Sequence, residues 1–205
     1  LGGARQLGHQ SCGAIVRICE DGSVNLLTGA TDCGQGSDTV LTMIVAEELG
    51  LKYEDVQLQR VDTAYTPVDP GSYGSRVTAL AGQATQKAAQ DAKKQLLEAG
   101  AKAWNVTPDE IEMRDSVVYL KKNPDKKMSF EKLAKIASYE GSGAVILGRG
   151  YSGYGIEPLD FMTGTGNGGT GYSFTAQTVG LGVDMETGKI DVTDFTIVHD
   201  CGRPL

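Results

Sequence analysis

At 205 residues with 40% apolar composition, the chain is long enough for one substantial core or two small subdomains and is expected to fold as a globular body. A net charge of -7, with no basic cluster longer than the pairs Lys93-Lys94, Lys121-Lys122 and Lys126-Lys127, argues against a nucleic-acid partner, so any anion must be held by backbone donors and single basic residues. No apolar run approaches the roughly 18 residues of a membrane span, and Cys12, Cys19, Cys33 and Cys201 form no C-x-x-C pair. Free thiols, no zinc or iron–sulfur ligation within the chain, and a cytoplasmic location are therefore expected.

In chain order, Ala14 to Ile18 and Ser23 to Thr28 are short apolar stretches around Glu20-Asp21-Gly22, a turn whose glycine supplies positive φ; they predict an antiparallel hairpin. Val40, Ile44, Val45 and Leu49 then recur at helical spacing, predicting a helix with Ser37 as N-cap and Gly50 just past its end. The same order returns: a strand over Val56 to Val61, a loop over Asp62 to Arg76, and an Ala/Gln/Lys-rich helix from Val77 to Trp104. Beyond Thr107 the pattern predicts short strands at Ile111 to Met113 and Val117 to Leu120, a lysine-rich turn, and a helix from Ser129 to Tyr139. Val145 to Tyr151 predicts a strand, and Tyr172 to Val183 with Ile190 to Val198 a pair joined at Glu186-Thr187-Gly188-Lys189. The fold class expected is α+β, mixed sheets with helices packed on them, divided as 1–106, 107–143 and 144–205.

Two loops each precede a helix. In Gly29-Ala30-Thr31-Asp32-Cys33-Gly34-Gln35-Gly36 the glycines flanking Gln35 allow close approach to the backbone, and the Gln35 amide matches the edge of a fused heterocycle. The second, Thr66-Pro67-Val68-Asp69-Pro70-Gly71-Ser72-Tyr73-Gly74-Ser75-Arg76-Val77-Thr78, gathers hydroxyls, glycines and an arginine; alone, it would serve equally as a stiff connection with Ser75 as helix cap. Together the loops favour a ligand cradle, with free N–H groups at two helix entrances as an anion-binding device. Asp32 is a candidate for orienting those donors. Gly164-Thr165-Gly166-Asn167-Gly168-Gly169 fits G-x-G-x-x-G, but Tyr172 to Val179 alternates like a strand where a dinucleotide fold requires a helix. His9, His199, Asp184 and Asp200 read as structural.

The run Leu26 to Ser37, followed by Val45-Ala46-Glu47-Glu48-Leu49-Gly50 and Asp69-Pro70-Gly71-Ser72-Tyr73-Gly74-Ser75-Arg76, resembles the molybdopterin-binding part of the xanthine dehydrogenase and aldehyde oxidase family. The resemblance continues in Gly171-Tyr172-Ser173-Phe174 and Val183 to Ile190, and its second loop leans towards the 4-hydroxybenzoyl-CoA reductase and carbon monoxide dehydrogenase side. It implies that Gly34, Gln35 and Gly36 contact the pterin, with Ser72, Tyr73, Gly74 and Ser75 as cofactor or substrate neighbours. It further implies a molybdenum-bearing molybdopterin, in the cytosine dinucleotide form, with iron–sulfur clusters and FAD on partner subunits and a small-molecule substrate. The family's upstream glycine-rich and Arg-Gly-Phe-Gly segments, and its downstream Gly-Glu-Pro motif with the general base, are not in these residues. The expectation is therefore an internal part of a large subunit, cut out or encoded as a split gene, that completes its site with the remaining parts and carries no catalytic residue or metal ligand itself. The competing reading is a non-catalytic module that binds phosphate or nucleotide at the two loop-to-helix entrances.

Overall fold

A computed structural model describes residues 2–5, 10–59, 61–141, 145–154, 160–166, 169–200 and 202. Its strands are β1 (Gly2–Arg5), β2 (Gln10–Ile18), β3 (Val24–Thr28), β4 (Val56–Gln59), β5 (Ile111–Arg114), β6 (Val117–Leu120), β7 (Asn123–Ser129), β8 (Ile146–Tyr154), β9 (Gly169–Val183) and β10 (Ile190–Asp200). Its helices are α1 (Ser37–Leu49), α2 (Gly82–Trp104) and α3 (Phe130–Ile136). The combination of helices and mixed sheets is the α+β class expected. Two compact units result, one of Leu7–Gly155 and one joining Leu1–Gln6 to Ile156–Leu205.

The larger unit is built on the sheet β4-β3-β2-β8. Its centre is the predicted hairpin: Gly22 takes φ 82, and the Asp21 carboxylate accepts the Ser23 N–H at 2.9 Å and its hydroxyl at 2.7 Å. Ile18 therefore faces Val24, and the buried set Val16, Ile18, Val24 and Leu26 shares one face. β4 runs parallel to β3 after the α1 crossover and is shorter than expected, ending at Gln59. β8 pairs antiparallel with the whole of β2, from Gln10 opposite Tyr154 to Ile18 opposite Ile146.

Helix α2 lies on this sheet along a stripe of fully buried Ala84, Ala88 and Ala92, which meets Gly148 and Gly150 of β8. Small residues on both sides bring helix and strand backbones together, closer than any larger side chain would permit. A π-helical turn, Val77–Ala81, feeds the chain into α2. Ser37 is not the N-cap of α1: Gly36 occupies that position with φ 78, and Ser37 is the first helical residue and buried. The predicted C-terminal glycine does its work, since Gly50 takes φ 66 and donates its N–H to Ala46 and Glu47 carbonyls.

Lys121 and Lys122 form the predicted turn after β6, and the segment that follows is a strand, β7, at the edge of the sheet β5-β6-β7. An edge strand pairs on one side only, so Pro124 and exposed lysines are compatible with it even without apolar alternation. Ser129 caps α3, its hydroxyl accepting the Lys132 N–H at 3.2 Å.

In the smaller unit β9 pairs with both β1 and β10. Asp184 closes the β9–β10 turn by accepting the N–H groups of Glu186 and Thr187, the structural role expected of it. Opposed pairs Val183–Ile190, Leu181–Val192 and Val179–Phe195 give one face of the ribbon an apolar character, while Gly182–Asp191 and Thr178–Thr196 line the other. Because Gly169 enters a strand, the G-x-G-x-x-G segment does not lead into a dinucleotide-binding helix; Asn167 and Gly168 lie outside the described residues. His9 and Cys201 also lie outside them, and Cys12, Cys19 and Cys33 are free thiols. Among the described residues, no helix is long and apolar enough to cross a membrane.

Candidate functional site

The first loop is organised by Asp32. Its carboxylate accepts the backbone N–H groups of Gly34 at 2.7 Å, Gly36 at 3.4 Å and Asp38 at 3.1 Å, filling with its own charge the position at the start of α1 expected for an external anion. The same bonds, Gly34 first, hold its carboxyl below the ordinary aspartate value of 3.8. A depressed folded-state value stabilises the fold above the unfolded value, and this contribution disappears as pH falls through the folded one. Asp32→Asn is expected to lower the urea midpoint at pH 7 and to show a shrinking difference from wild type as the buffer is taken below 3.8; a pH-independent difference would remove the carboxylate from this role.

The Gln35 side chain folds back onto the loop. Its Nε2 donates to the Thr31 carbonyl at 3.0 Å and the Ser37 hydroxyl at 3.1 Å, and its Oε1 accepts the Cys33 N–H at 2.7 Å. The amide expected to read a heterocycle thus shapes the loop itself in this state. What faces outward is backbone: Gly34 (φ 108) and Gly36 (φ 78) have no atom within 4 Å of where a Cβ would stand.

The second loop is tied to the first by the Ser72 hydroxyl, which donates to the Thr31 carbonyl. Gly74 and Ser75 both take left-handed conformations, φ 59 and 56, which costs the non-glycine Ser75 roughly 1 kcal/mol and turns the chain sharply into the helix. Ser75 does not cap that helix; the residue at the cap is Arg76, which makes no side-chain cap bond.

Arg76 is instead the anchor of the loop. Its guanidinium is fully buried and forms an ion pair with the equally buried Asp69 at 2.7 Å. It also donates to the Gly71 carbonyl at 2.8 Å, the Ser11 carbonyl at 3.3 Å and Cys12 Sγ at 2.6 Å, and lies 5.7 Å from the Tyr73 ring centroid. The Cys12 thiol bridges back to Asp69 Oδ2 at 3.0 Å. Burial, then the Asp69 bond, pushes the thiol up to about 12, so it stays a neutral donor. Sequence reasoning counted Arg76 as one more polar loop residue and Cys12 as a plain thiol. The available signal was Asp69 and Arg76 in one short loop, since a loop arginine with an acid within reach is a candidate for pairing when buried.

The loops converge on one open pocket of about 380 Å³. Cys33 and Gln35 line it from the first loop, Ser72, Tyr73 and Ser75 from the second, and Thr78 from the π-helical turn. Of the sequence-predicted site residues, the structure brings Gln35, Ser72, Tyr73 and Ser75 to this pocket, with Gly34 and Gly36 beside Gln35 on the open side of the first loop and Gly74 between Tyr73 and Ser75. A first loop without side chains at Gly34 and Gly36, and hydroxyl-bearing residues on the second, suit a large, polar, hydrogen-bonding cofactor. Among the described residues, no group of three or more His, Cys, Asp or Glu side chains is arranged to hold a metal ion.

The α+β arrangement is found in molybdenum-containing oxidoreductases of known structure. The reconstituted CO dehydrogenase from Oligotropha carboxidovorans superposes with a TM-score of 0.75 at 28% identity, covering 93% of this chain and 22% of that one. The family model of the molybdopterin cofactor-binding domain matches residues 2–205, and the chain belongs to that family. Among relatives, the xanthine dehydrogenase molybdenum-binding subunit of Escherichia coli O157:H7 is 30% identical over 97% of this chain and 25% of its own length. The carbon monoxide dehydrogenase large chain of Afipia carboxidovorans is 31% identical over 92% of this chain and 22% of its own length. The chain thus spans about a quarter of the length of these relatives.

Proposed function

We propose that the chain is the part of a xanthine dehydrogenase-type large subunit that cradles molybdopterin through Gly34, Gln35, Gly36, Ser72, Tyr73, Gly74 and Ser75. The observation that carries this reading is the convergence of both glycine-containing loops on one pocket, locked together by the Ser72–Thr31 bond. With no side chain at Gly34 or Gly36 a flat polar ligand can lie close against the first loop, while Ser72 and Ser75 line the pocket and the Tyr73 ring offers a face. Gln35 acts in two ways: it sets the loop shape through its bonds to Thr31, Cys33 and Ser37, and it presents the backbone beside it to the pterin. The bound cofactor supplies the two-electron redox chemistry at molybdenum, with the metal carried on the pterin rather than by side chains of this chain.

The parent is a cytoplasmic oxidoreductase acting on a small heterocyclic, aldehyde or aromatic thioester substrate. The remaining parts of the large subunit contribute the general base, iron–sulfur clusters and FAD on partner subunits take the electrons, and the cofactor is the cytosine dinucleotide form. The similarity to the carbon monoxide dehydrogenase large chain and the xanthine dehydrogenase molybdenum-binding subunit supports this assembly.

The test is the molybdenum and pterin content of the full-length parent co-expressed with its neighbouring subunits, wild type beside Gln35→Ala. Stoichiometric cofactor in wild type and about tenfold weaker retention in the variant are expected, the loss usual when an outer hydrogen-bond partner is removed. A wild-type parent that takes up none with the cofactor pathway active would overturn the reading. Mass spectrometry of the released pterin separates the dinucleotide from the mononucleotide form.

A further inference from the structure

We propose that Arg76, clamped by Asp69 and Cys12, is the positioning residue that holds the second loop in its ligand-ready shape; this rests on the cradle reading above. Three observations converge on it. The Arg76 and Asp69 side chains are fully buried, so, although Arg76 stands in the wall of the pocket, the clamp acts on a ligand chiefly by fixing the loop. Its bonds join two places distant in sequence, Ser11 and Cys12 on β2 and Asp69 and Gly71 in the loop, and its charge lies against the ring of Tyr73 at the pocket. The chain between Gly71 and Arg76 contains two successive left-handed residues, Gly74 and Ser75, a conformation that persists only where its surroundings fix it.

The physical consequence is specific to arginine. One planar fork reaches the Asp69 carboxylate, the Gly71 carbonyl, the Ser11 carbonyl and the Cys12 sulfur together, and places positive charge beside the face of the half-exposed Tyr73 ring. Cys12 completes the clamp as a neutral bridge, taking a bond from Arg76 and giving one to Asp69. The loop that offers Ser72, Tyr73 and Ser75 to the pocket is thereby fixed to the central sheet rather than left to find its shape around a ligand.

The experiment uses the full-length parent complex with Arg76→Lys, Cys12→Ala and Cys12→Ser, and Gln35→Ala as reference. The rate of pterin release from purified complex is followed by fluorescence, with molybdenum per folded protein and the thermal midpoint measured alongside. Arg76→Lys and Cys12→Ala are expected to release the pterin about tenfold faster than wild type. Cys12→Ser, whose hydroxyl restores both bonds of the bridge, is expected to return close to the wild-type rate. A lowered thermal midpoint with an unchanged release rate in Arg76→Lys and Cys12→Ala would make the cluster merely structural and overturn the proposal, while Gln35→Ala releasing fast in the same series would leave the cradle standing. A wild-type complex without pterin would overturn both. If Arg76→Lys does not fold, the Cys12 pair alone decides, because serine and alanine differ little in size and only one of them bridges.

Discussion

Replacing Arg76 by methionine is expected to lower the stability of the fold by about 3–5 kcal/mol, because it leaves the Asp69 carboxylate buried without its cation. The number is set by what remains rather than by what is lost. Methionine fills a similar volume, but Asp69 keeps a fully buried side chain whose closest charge partner is gone, with the Gly71 N–H and the Cys12 thiol left as its donors. The double replacement Asp69→Asn with Arg76→Met removes both charges and is expected to be less damaging than the sum of the two single changes. Denaturant unfolding of all four proteins gives the cycle, and an Arg76→Met loss below about 1 kcal/mol with additive singles would mean that the pair behaves as a solvated surface bridge.

The second large effect concerns the contact of α2 with β8. A Cβ at Gly150 would run into the backbone carbonyl of Ala84, and one at Gly148 into that of Ala88. Gly150→Ala is expected to cost about 3 kcal/mol, the upper end for overpacking, because helix backbone rather than a side-chain tip must move. Gly182→Ala in β9 is the control: the nearest atom to its Cβ is the Asp191 carbonyl at 3.9 Å, and its cost is expected within about 0.5 kcal/mol. Equal midpoints for the two variants in urea would show that α2 can lift from the sheet without loss.

The competing phosphate-module reading relied on free N–H groups at two loop-to-helix entrances, of which the start of α1 is one. Asp32 occupies the Gly34, Gly36 and Asp38 donors with its own carboxylate, so the device read as an anion site is already satisfied within the chain. Sequence reasoning placed Asp32 correctly as an organiser of donors but did not draw the consequence that an organised donor is an occupied one. The Gln35 amide shows the same pattern, turned inward onto Thr31, Cys33 and Ser37.

By itself the sequence determined whatever depends on neighbours a few residues apart. Asp21-Gly22 specified the β2–β3 hairpin, Gly50 the end of α1, Ser129 the start of α3, and Asp184 with Gly188 the β9–β10 turn, because a turn or a cap is decided by local dihedral preference and a single side-chain bond. The resemblance of the two loops likewise pointed to the family without any knowledge of their conformation. Tertiary structure alone decided the rest. Only it pairs β8 with β2 and β1 with β9, makes an edge strand of the charged Asn123–Ser129, and sets alanines of α2 against glycines of β8. It also brings Cys12 to a loop more than fifty residues away and buries Arg76 there with Asp69. Burial is a property of the packed chain, and the difference between an exposed loop arginine and a buried clamp lies entirely in what packs around it.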